Sequence, residues 1–293
     1  MAPRVPRVVA DAVKLGNRLG ATPTGLTGRH RMFGADGALK KAAAGKIVLI
    51  TGASSGIGRA AALQLGAAGA VVLLVARSVD ELDAVRSEIV AEGGRAYSYP
   101  TDLTDFDDLD ALVAKVLDQH GHLDVLVNNA GRSIRRKVEH SQDRFHDFER
   151  PMQLNYFAAI RLVMGFLPSM RERENGQIIN ISTWSVQVRP ARFSGYTASK
   201  AALEAWSDCV QGEVVGDGIV FTTIRMPLVR TPMIAPTRAY RGMPALSPEQ
   251  AASTICDAIV CRPRRLRPVF SQFLGLTDVL SPAVMDRVRG RVI

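Results

Sequence analysis

The sequence predicts an α/β protein: one parallel sheet of about seven strands, doubly wound, with helices on both faces. Three observations carry that reading. Short aliphatic and β-branched runs at 46–51, 70–76, 95–99, 123–128, 176–182 and 218–225 read as strands. Segments of helical periodicity lie between them, at 57–68, 79–92, 105–120, about 141–173, about 196–215 and 248–260. Such alternation needs parallel strands joined by right-handed crossovers. The third observation is the first junction, where Lys46-Ile47-Val48-Leu49-Ile50 runs into Thr51-Gly52-Ala53-Ser54-Ser55-Gly56-Ile57-Gly58 and then into an Ala-rich helix. A last short strand is expected near Arg267-Pro268-Val269-Phe270.

At 293 residues and 47% apolar content, the chain can bury one large core and still carry extensions. No apolar run is long enough for a bilayer-spanning helix. The opening Met1-Ala2-Pro3-Arg4-Val5-Pro6-Arg7 has no long apolar core, so a cytoplasmic setting is expected. Cys209, Cys256 and Cys261 have neither disulfide density nor paired metal-ligand spacing, and no metal is expected. The net charge of +9 is unevenly placed. Residues 1–46 hold nine Lys/Arg against two Asp and residues 261–293 seven Arg against two Asp, which leaves the stretch between at −3. A mildly acidic body argues against nucleic-acid binding. The basic ends suit a membrane surface or a phosphate-bearing ligand, and they equally suit solvated tails. The expected division is a basic extension over 1–44, a nucleotide-binding body over 45–261, and a basic tail over 262–293 that closes the substrate side.

Strand, glycine turn and helix are the context that a dinucleotide phosphate needs. Gly52 permits the tight turn, Gly56 lets backbone approach a pyrophosphate, and Gly58 lets the helix pack closely; Ser54, Ser55 and Ile57 complete the loop. The second strand, Val71-Val72-Leu73-Leu74-Val75, ends at Ala76-Arg77 with no acid at 75–77 to accept from a ribose 2′-hydroxyl. Arg77 instead offers a guanidinium fork suited to a 2′-phosphate, with Arg59 adding positive charge, so NADP(H) is the expected cofactor. Tyr196 and Lys200 stand four apart on one predicted helix and face the same way. A neighbouring ammonium stabilises phenolate and lowers a tyrosine pKa, which suits proton exchange with a carbonyl oxygen.

The glycine loop, Val127-Asn128-Asn129-Ala130-Gly131 and Tyr196-Thr197-Ala198-Ser199-Lys200, in that order, resemble the short-chain dehydrogenase/reductase family from about Gly45 to Val260. The resemblance implies a Rossmann-type sheet that binds NAD(P) at the carboxyl ends of its strands. It implies that Asp102 and Leu103 edge the adenine, that Asn128, Ala130 and Gly131 line the ribose side, and that Tyr196 and Lys200 also touch the cofactor. It makes Asn155 the helix asparagine of a proton relay; Pro151, four residues earlier, should start or kink that helix. It places a catalytic hydroxyl at Thr183, where the usual Ser-Ser reads Ser182-Thr183, and Ser182 stays open as the alternative. Thr231 matches the threonine that contacts the carboxamide, although the usual Pro-Gly before it reads Met226-Pro227. A homodimer or homotetramer through the long helices is also implied.

Three further stretches look like the bacterial fatty acyl-CoA reductases: Gly131-Arg132-Ser133-Ile134-Arg135-Arg136, 143–150 and 227–237. That branch reduces a long-chain acyl thioester to the aldehyde. No cysteine has a catalytic setting by sequence, so hydride addition without a covalent thioester is expected. Arg132, Arg135, Arg136 and Lys137 suit CoA phosphates or a solvated loop equally. The segment 230–246, with Met233, Ile234, Met243 and Leu246, reads as a substrate lid, and the basic ends as a possible peripheral membrane contact. Two alternatives stand beside acyl-CoA reduction: a carbonyl or hydroxy-lipid oxidoreductase of the same family, and an NADP-binding module without turnover.

Overall fold

The computed structural model describes residues 35–237, 240, 242–268, 271, 278 and 280–289. Helix α1 (Ala35–Ala43) leads into β1 (Ile47–Thr51), α2 (Gly56–Ala67), β2 (Val71–Ala76), α3 (Val79–Ala91), β3 (Arg95–Pro100), α4 (Phe106–His120) and β4 (Val125–Asn128). Then come α5 (His146–Met152), α6 (Ala158–Glu172), β5 (Gly176–Thr183), the single turn α7 (Ser185–Val188) and α8 (Ser194–Glu213). β6 (Ile219–Met226), α9 (Pro248–Cys261), β7 (Arg265–Leu266) and α10 (Pro282–Arg289) complete the described chain.

The strands form one parallel sheet in the order β3-β2-β1-β4-β5-β6-β7. Strands β1, β2, β4 and β5 are buried along their whole length, as strands covered on both faces must be, which is why they read as continuous apolar runs. Edge strand β3 alternates instead and ends on Pro100, a residue that donates nothing to the ladder. One apolar layer packs α2, α3 and α9 on one face, and a second packs α4, α6 and α8 on the other. The chain reverses direction across the sheet between β1 and β4, which leaves a crevice at their carboxyl ends.

Local chemistry sets the helix ends. The Asp105 side chain caps α4, Ser78 caps α3, and Ser247 with Gln250 forms a reciprocal capping box ahead of Pro248 in α9.

Four expectations change. The helix expected from 141 begins at His146; Pro151, expected to start or kink it, lies inside α5. The break falls just after it, as one π-helical turn over Gln153–Phe157 in which the Ala158 N–H reaches back five residues to Gln153 O. Pro151 supplies no N–H to the ladder, so the hydrogen-bond pattern re-forms with a wider turn. The boundary expected at 44 falls where α1 already packs on α9, with Ala43 fully buried. Strand β7 pairs with β6 at Thr223↔Arg265 and Ile224↔Leu266, so the body runs past 261 and its last strand lies two residues before 267. Residues 1–34 of the expected extension, and Val269 and Phe270 of the expected last strand, lie outside the described residues. Part of the tail docks: Arg289 Nε donates to Val188 O at 3.1 Å, and Asp278 pairs with Arg189 and Arg289 at 3.0 and 2.6 Å. No helix among the described residues is long and apolar enough to cross a membrane.

Candidate active site

The glycine turn and the end of β4 lock together at the crevice. Gly52 has φ +66°, and a Cβ there would sit 3.0 Å from Ala130 Cα. At Gly58 a Cβ would lie 2.2 Å from Gly52 O, so only glycine lets α2 begin against the turn that precedes it. Gly56 has φ +54° and faces the Thr231 methyl, which a Cβ would meet at 3.1 Å. Asn129 Nδ2 donates to Thr51 O at 2.8 Å and Gly52 O at 3.3 Å, while Thr51 Oγ1 accepts from the Asn129 and Ala130 amides at 3.0 Å each. Sequence reasoning passed over Asn129; two adjacent asparagines at a strand end, pointing to opposite faces, were the signal. Asn128 points the other way, donating to Asn180 Oδ1 at 2.9 Å in the core rather than lining the main cleft. Ser55 is exposed at the start of α2, whose first N–H groups face the crevice side; Ser54 and Ile57 are half-buried beside it.

On the far side of β1, Arg77 is exposed at the end of β2. The Asp102 carboxyl is held below the usual carboxylate range, chiefly by the Thr104 amide and hydroxyl at 2.9 and 2.8 Å, with smaller contributions from Arg77 and Arg132. Leu103 is buried in the core under that loop. Arg59 forms an ion pair with Glu88 at 2.5 Å, so its charge is already matched.

Across the crevice, α8 delivers Tyr196 and Lys200 to the end of β5. Lys200 Nζ, deeply buried, donates to Ile181 O at 2.8 Å. Thr183 Oγ1 accepts from the amide and hydroxyl of Ser185 at 3.2 and 3.1 Å and shares a hydrogen bond with the Tyr196 hydroxyl. Ser182 faces the opposite side and donates to Glu204. The expected lowering of Tyr196 by Lys200 is reversed: burial pushes the phenol up to about 12 against the Thr183 hydrogen bond. Burial likewise pulls Lys200 down to about 8, opposed by Glu204. The helix break brings in Asn155, whose Oδ1 accepts from the Arg132 amide at 2.8 Å and whose Nδ2 donates to Arg132 O and Ser199 Oγ at 3.0 and 2.9 Å. Asn155 therefore pins the loop after Gly131 to α8. Tyr196, Lys200, Thr183, Ala130, Gly131, Gly52, Gly56, Ile57 and Thr231 all line one cleft.

The family model for short chain dehydrogenases matches residues 46–242. The chain is 51% identical over 240 residues to a fatty acyl-CoA reductase of Acinetobacter baylyi, covering 82% of this chain and 81% of that one. It is 52% identical over 256 residues to an uncharacterized oxidoreductase of Mycobacterium tuberculosis, covering 86% and 75%. A metagenomic short-chain oxidoreductase solved in complex with NADP superposes with TM-score 0.66 at 32% identity, over 75% of this chain and 92% of that one. A short-chain dehydrogenase from Streptomyces avermitilis gives 0.72 at 34% identity, over 82% and 94%.

The chain belongs to the short-chain dehydrogenase family.

It is thus an oxidoreductase, and the parts of its cleft beyond the family motifs carry its individuality. After β6 the Met226-Pro227 departure is stabilised from outside: Leu246 N donates to Leu228 O, and Arg230 N to Leu246 O, both at 2.9 Å. Leu246 is therefore a buried anchor and not part of a lid, whereas Met233, Ile234 and Met243 do line the cleft. Tyr240, which the sequence reading did not pick out, stacks on Phe193 at 6.4 Å. Of the four basic residues after β4, Arg135 lines the cleft and Arg132 is exposed beside it. Arg136 is committed to Asp147 at 2.6 Å and Lys137 to Glu139 at 2.6 Å.

Gly58→Ala should dismantle the glycine turn while leaving the apolar layers intact. The expected result is a protein with native far-ultraviolet circular dichroism that has lost dinucleotide binding by calorimetry. Unchanged binding would show that the contact with Gly52 O is not needed.

Proposed function

We propose that this dehydrogenase uses NADPH to reduce a long-chain acyl-CoA thioester to the aldehyde. The observation that carries the reading is the hydroxyl pair Thr183–Tyr196, beside buried Lys200, facing a cleft whose outer wall is Met233, Ile234 and Met243. The relatives named fatty acyl-CoA reductases, at 51% and 45% identity, support the substrate class.

The residues fit an NADP cofactor. Gly52, Gly56 and Gly58 let the turn pack against Ala130, Thr231 and its own backbone without side chains, which leaves the first N–H groups of α2 open to a pyrophosphate. Ser54, Ser55 and Ile57 flank the phosphates, Asp102 and Leu103 the adenine, Ala130 and Gly131 the ribose side, and Thr231 the nicotinamide; Asn128 supports that wall from the core. Arg77 meets the 2′-phosphate, since no acid replaces it at the end of β2. When bound, NADPH supplies the hydride.

The rest is this chain's own chemistry. Thr183 and Tyr196 both direct hydroxyls at the thioester oxygen. Tyr196, with its pKa near 12, is protonated throughout the working range and is a proton donor in the reductive direction. As negative charge develops on the oxygen, Tyr196 gives up its proton, and the Lys200 ammonium stabilises the phenolate left behind. The hemithioacetal then collapses to the aldehyde and CoA thiolate, Tyr196 recovering the proton from the hydroxyl while the thiolate takes its proton from solvent. Asn155 holds the loop at Arg132, and so the floor of the site. No cysteine is needed: Cys256 is buried with its thiol pushed up to about 12, Cys209 is exposed, and none lines the cleft. The enzyme acts as a homodimer or homotetramer through the long helices, and its basic ends bring it to anionic lipid surfaces.

Mixing the enzyme with NADPH and hexadecanoyl-CoA should release CoA thiol and aldehyde in step with loss of NADPH absorbance. NADPH loss with a long-chain ketone but not with the thioester would favour a carbonyl or hydroxy-lipid oxidoreductase instead. NADPH should bind far more tightly than NADH, and Arg77→Ala should narrow the gap by about 1.5–3 kcal/mol, the worth of a charged hydrogen bond. Equal affinities in the unmodified enzyme would contradict the assignment.

Tyr196→Phe should abolish turnover with NADPH binding retained. Thr183→Ala should slow kcat by roughly 10²-fold, the scale of one oxyanion donor, and Ser182→Ala by less. The reverse order in single-turnover measurements would move the catalytic hydroxyl to Ser182.

Reduction requires Lys200 charged and Tyr196 protonated. Raising the pH removes the lysine proton first, because its pKa is about 8 and that of Tyr196 about 12. Reductive kcat/KM should be flat below neutrality and fall as pH rises past the Lys200 value. A rate that climbs to pH 9 would contradict this.

A further inference from the structure

A buried carboxylate lies one helical turn beyond Lys200. Glu204 is 7% exposed, and its Oε1 accepts from Ser182 Oγ at 2.5 Å. Arg225 closes on it from β6, with Nε 3.1 Å from both carboxylate oxygens and Nη2 2.6 Å from Oε2. Arg225 is also the register partner of Ser182, and its Nη1 donates to Gln187 Oε1 at 3.0 Å. The carboxylate thus joins α8, β5 and β6 behind Thr183, and its arginine reaches α7.

Stability is a weak reason for such a node. A buried ion pair gains little over apolar side chains of the same volume, because both ions lose their hydration. What the node does provide is register. Along α8, Lys200 takes the carbonyl of Ile181 and Glu204 takes the hydroxyl of Ser182, two consecutive residues of β5. Thr183 is the next residue, and its partner Tyr196 begins the same helix. Alternation along the strand turns Ser182 to Glu204 and Thr183 to the cleft, so the first contact enforces the second.

The node also bears on charge. Glu204, one turn after Lys200, is the charge that opposes its burial; Tyr196 lies one turn before it, Arg225 is reached through Glu204, and Arg135 lines the same cleft. The β4 loop and the π-turn offer Gly131, Asn128 and Asn155, none of which titrates.

We propose that Glu204 is a positioning residue for the reaction: it anchors Ser182 so that Thr183 meets Tyr196, and it supplies the counter-charge that holds Lys200 as an ammonium. This rests on the roles given to Tyr196, Thr183 and Lys200 under the proposed function.

The test compares Glu204→Gln, Glu204→Asp and the double variant Glu204→Gln/Arg225→Gln, which removes both charges and leaves no lone buried guanidinium. The readouts are reductive kcat and KM against pH with hexadecanoyl-CoA, and NADPH affinity against pH without substrate. In Glu204→Gln the alkaline limb should move down by about one pH unit, the scale of losing one close buried charge. Its kcat at pH 7 should fall roughly tenfold, as for a displaced donor, with KM little changed. Glu204→Asp should restore most of the limb. If Glu204→Gln folds poorly, the double variant decides: a persistent downward limb and low kcat support the proposal, and a profile like the unmodified enzyme overturns it. Should the unmodified enzyme turn over no acyl-CoA, the substrate reading fails on its own, while the NADPH titration still reports the Lys200 charge. An NADPH titration identical in all variants would overturn the role of Glu204.

Discussion

The grip of α8 on the end of β5 is the constraint on which the active site depends. Lys200 donates to Ile181 O at 2.8 Å with both groups buried. An ammonium in that position is costly unless hydrogen-bonded and compensated, and the site meets both conditions with a backbone carbonyl and the nearby Glu204. The same contact sets how far α8 lies along β5, and hence where Tyr196 falls relative to Thr183. Burial then separates the two proton affinities, about 12 for the phenol and about 8 for the amine. The site is thereby divided into a group that keeps its proton and a group whose charge answers to pH.

The other half of the crevice is made by backbone. Glycines let the β1 turn fold onto α2, and Asn129 ties that turn to β4 through the carbonyls of Thr51 and Gly52. The two halves meet at Gly131, whose missing side chain leaves room beside Asn155 Oδ1 and Lys200 Nζ; a Cβ there would lie 3.3 and 3.5 Å from them. Asn155 reaches this point because Pro151 cannot sustain the α-helical ladder and a π-turn follows it. A helix irregularity thus serves the site, binding the Arg132 backbone and the Ser199 hydroxyl with one side chain.

Much of this was legible in the sequence because buried parallel strands write themselves as unbroken apolar runs. All six strands expected before residue 226 stand within two residues of their predicted bounds, and the glycine turn, Tyr196 and Lys200 fall together as their spacing implies. What escaped depends on partners distant in sequence. Asn129 and Asn128 look alike, and only the pleat decides which holds the turn and which faces Asn180. Glu204 and Arg225 are ordinary charged residues until register sets Ser182 between them. Arg136 and Lys137 suit phosphate or a solvated loop equally by sequence, and only the fold shows that Asp147 and Glu139 take them. The tyrosine's proton affinity was misread for the same reason, since local spacing reports a neighbouring ammonium and not the desolvation around the phenol.

The central claim is that hydride passes directly to the thioester carbon while Tyr196 protonates the oxygen, without an acyl-enzyme. Isotope transfer tests this most directly. NADPH carrying deuterium on the transferred face should yield a long-chain aldehyde with one deuterium at C1, and intact-protein mass spectrometry during turnover should find no acyl adduct. Unlabelled aldehyde, or an acyl group carried on any of the three cysteines, would contradict the account.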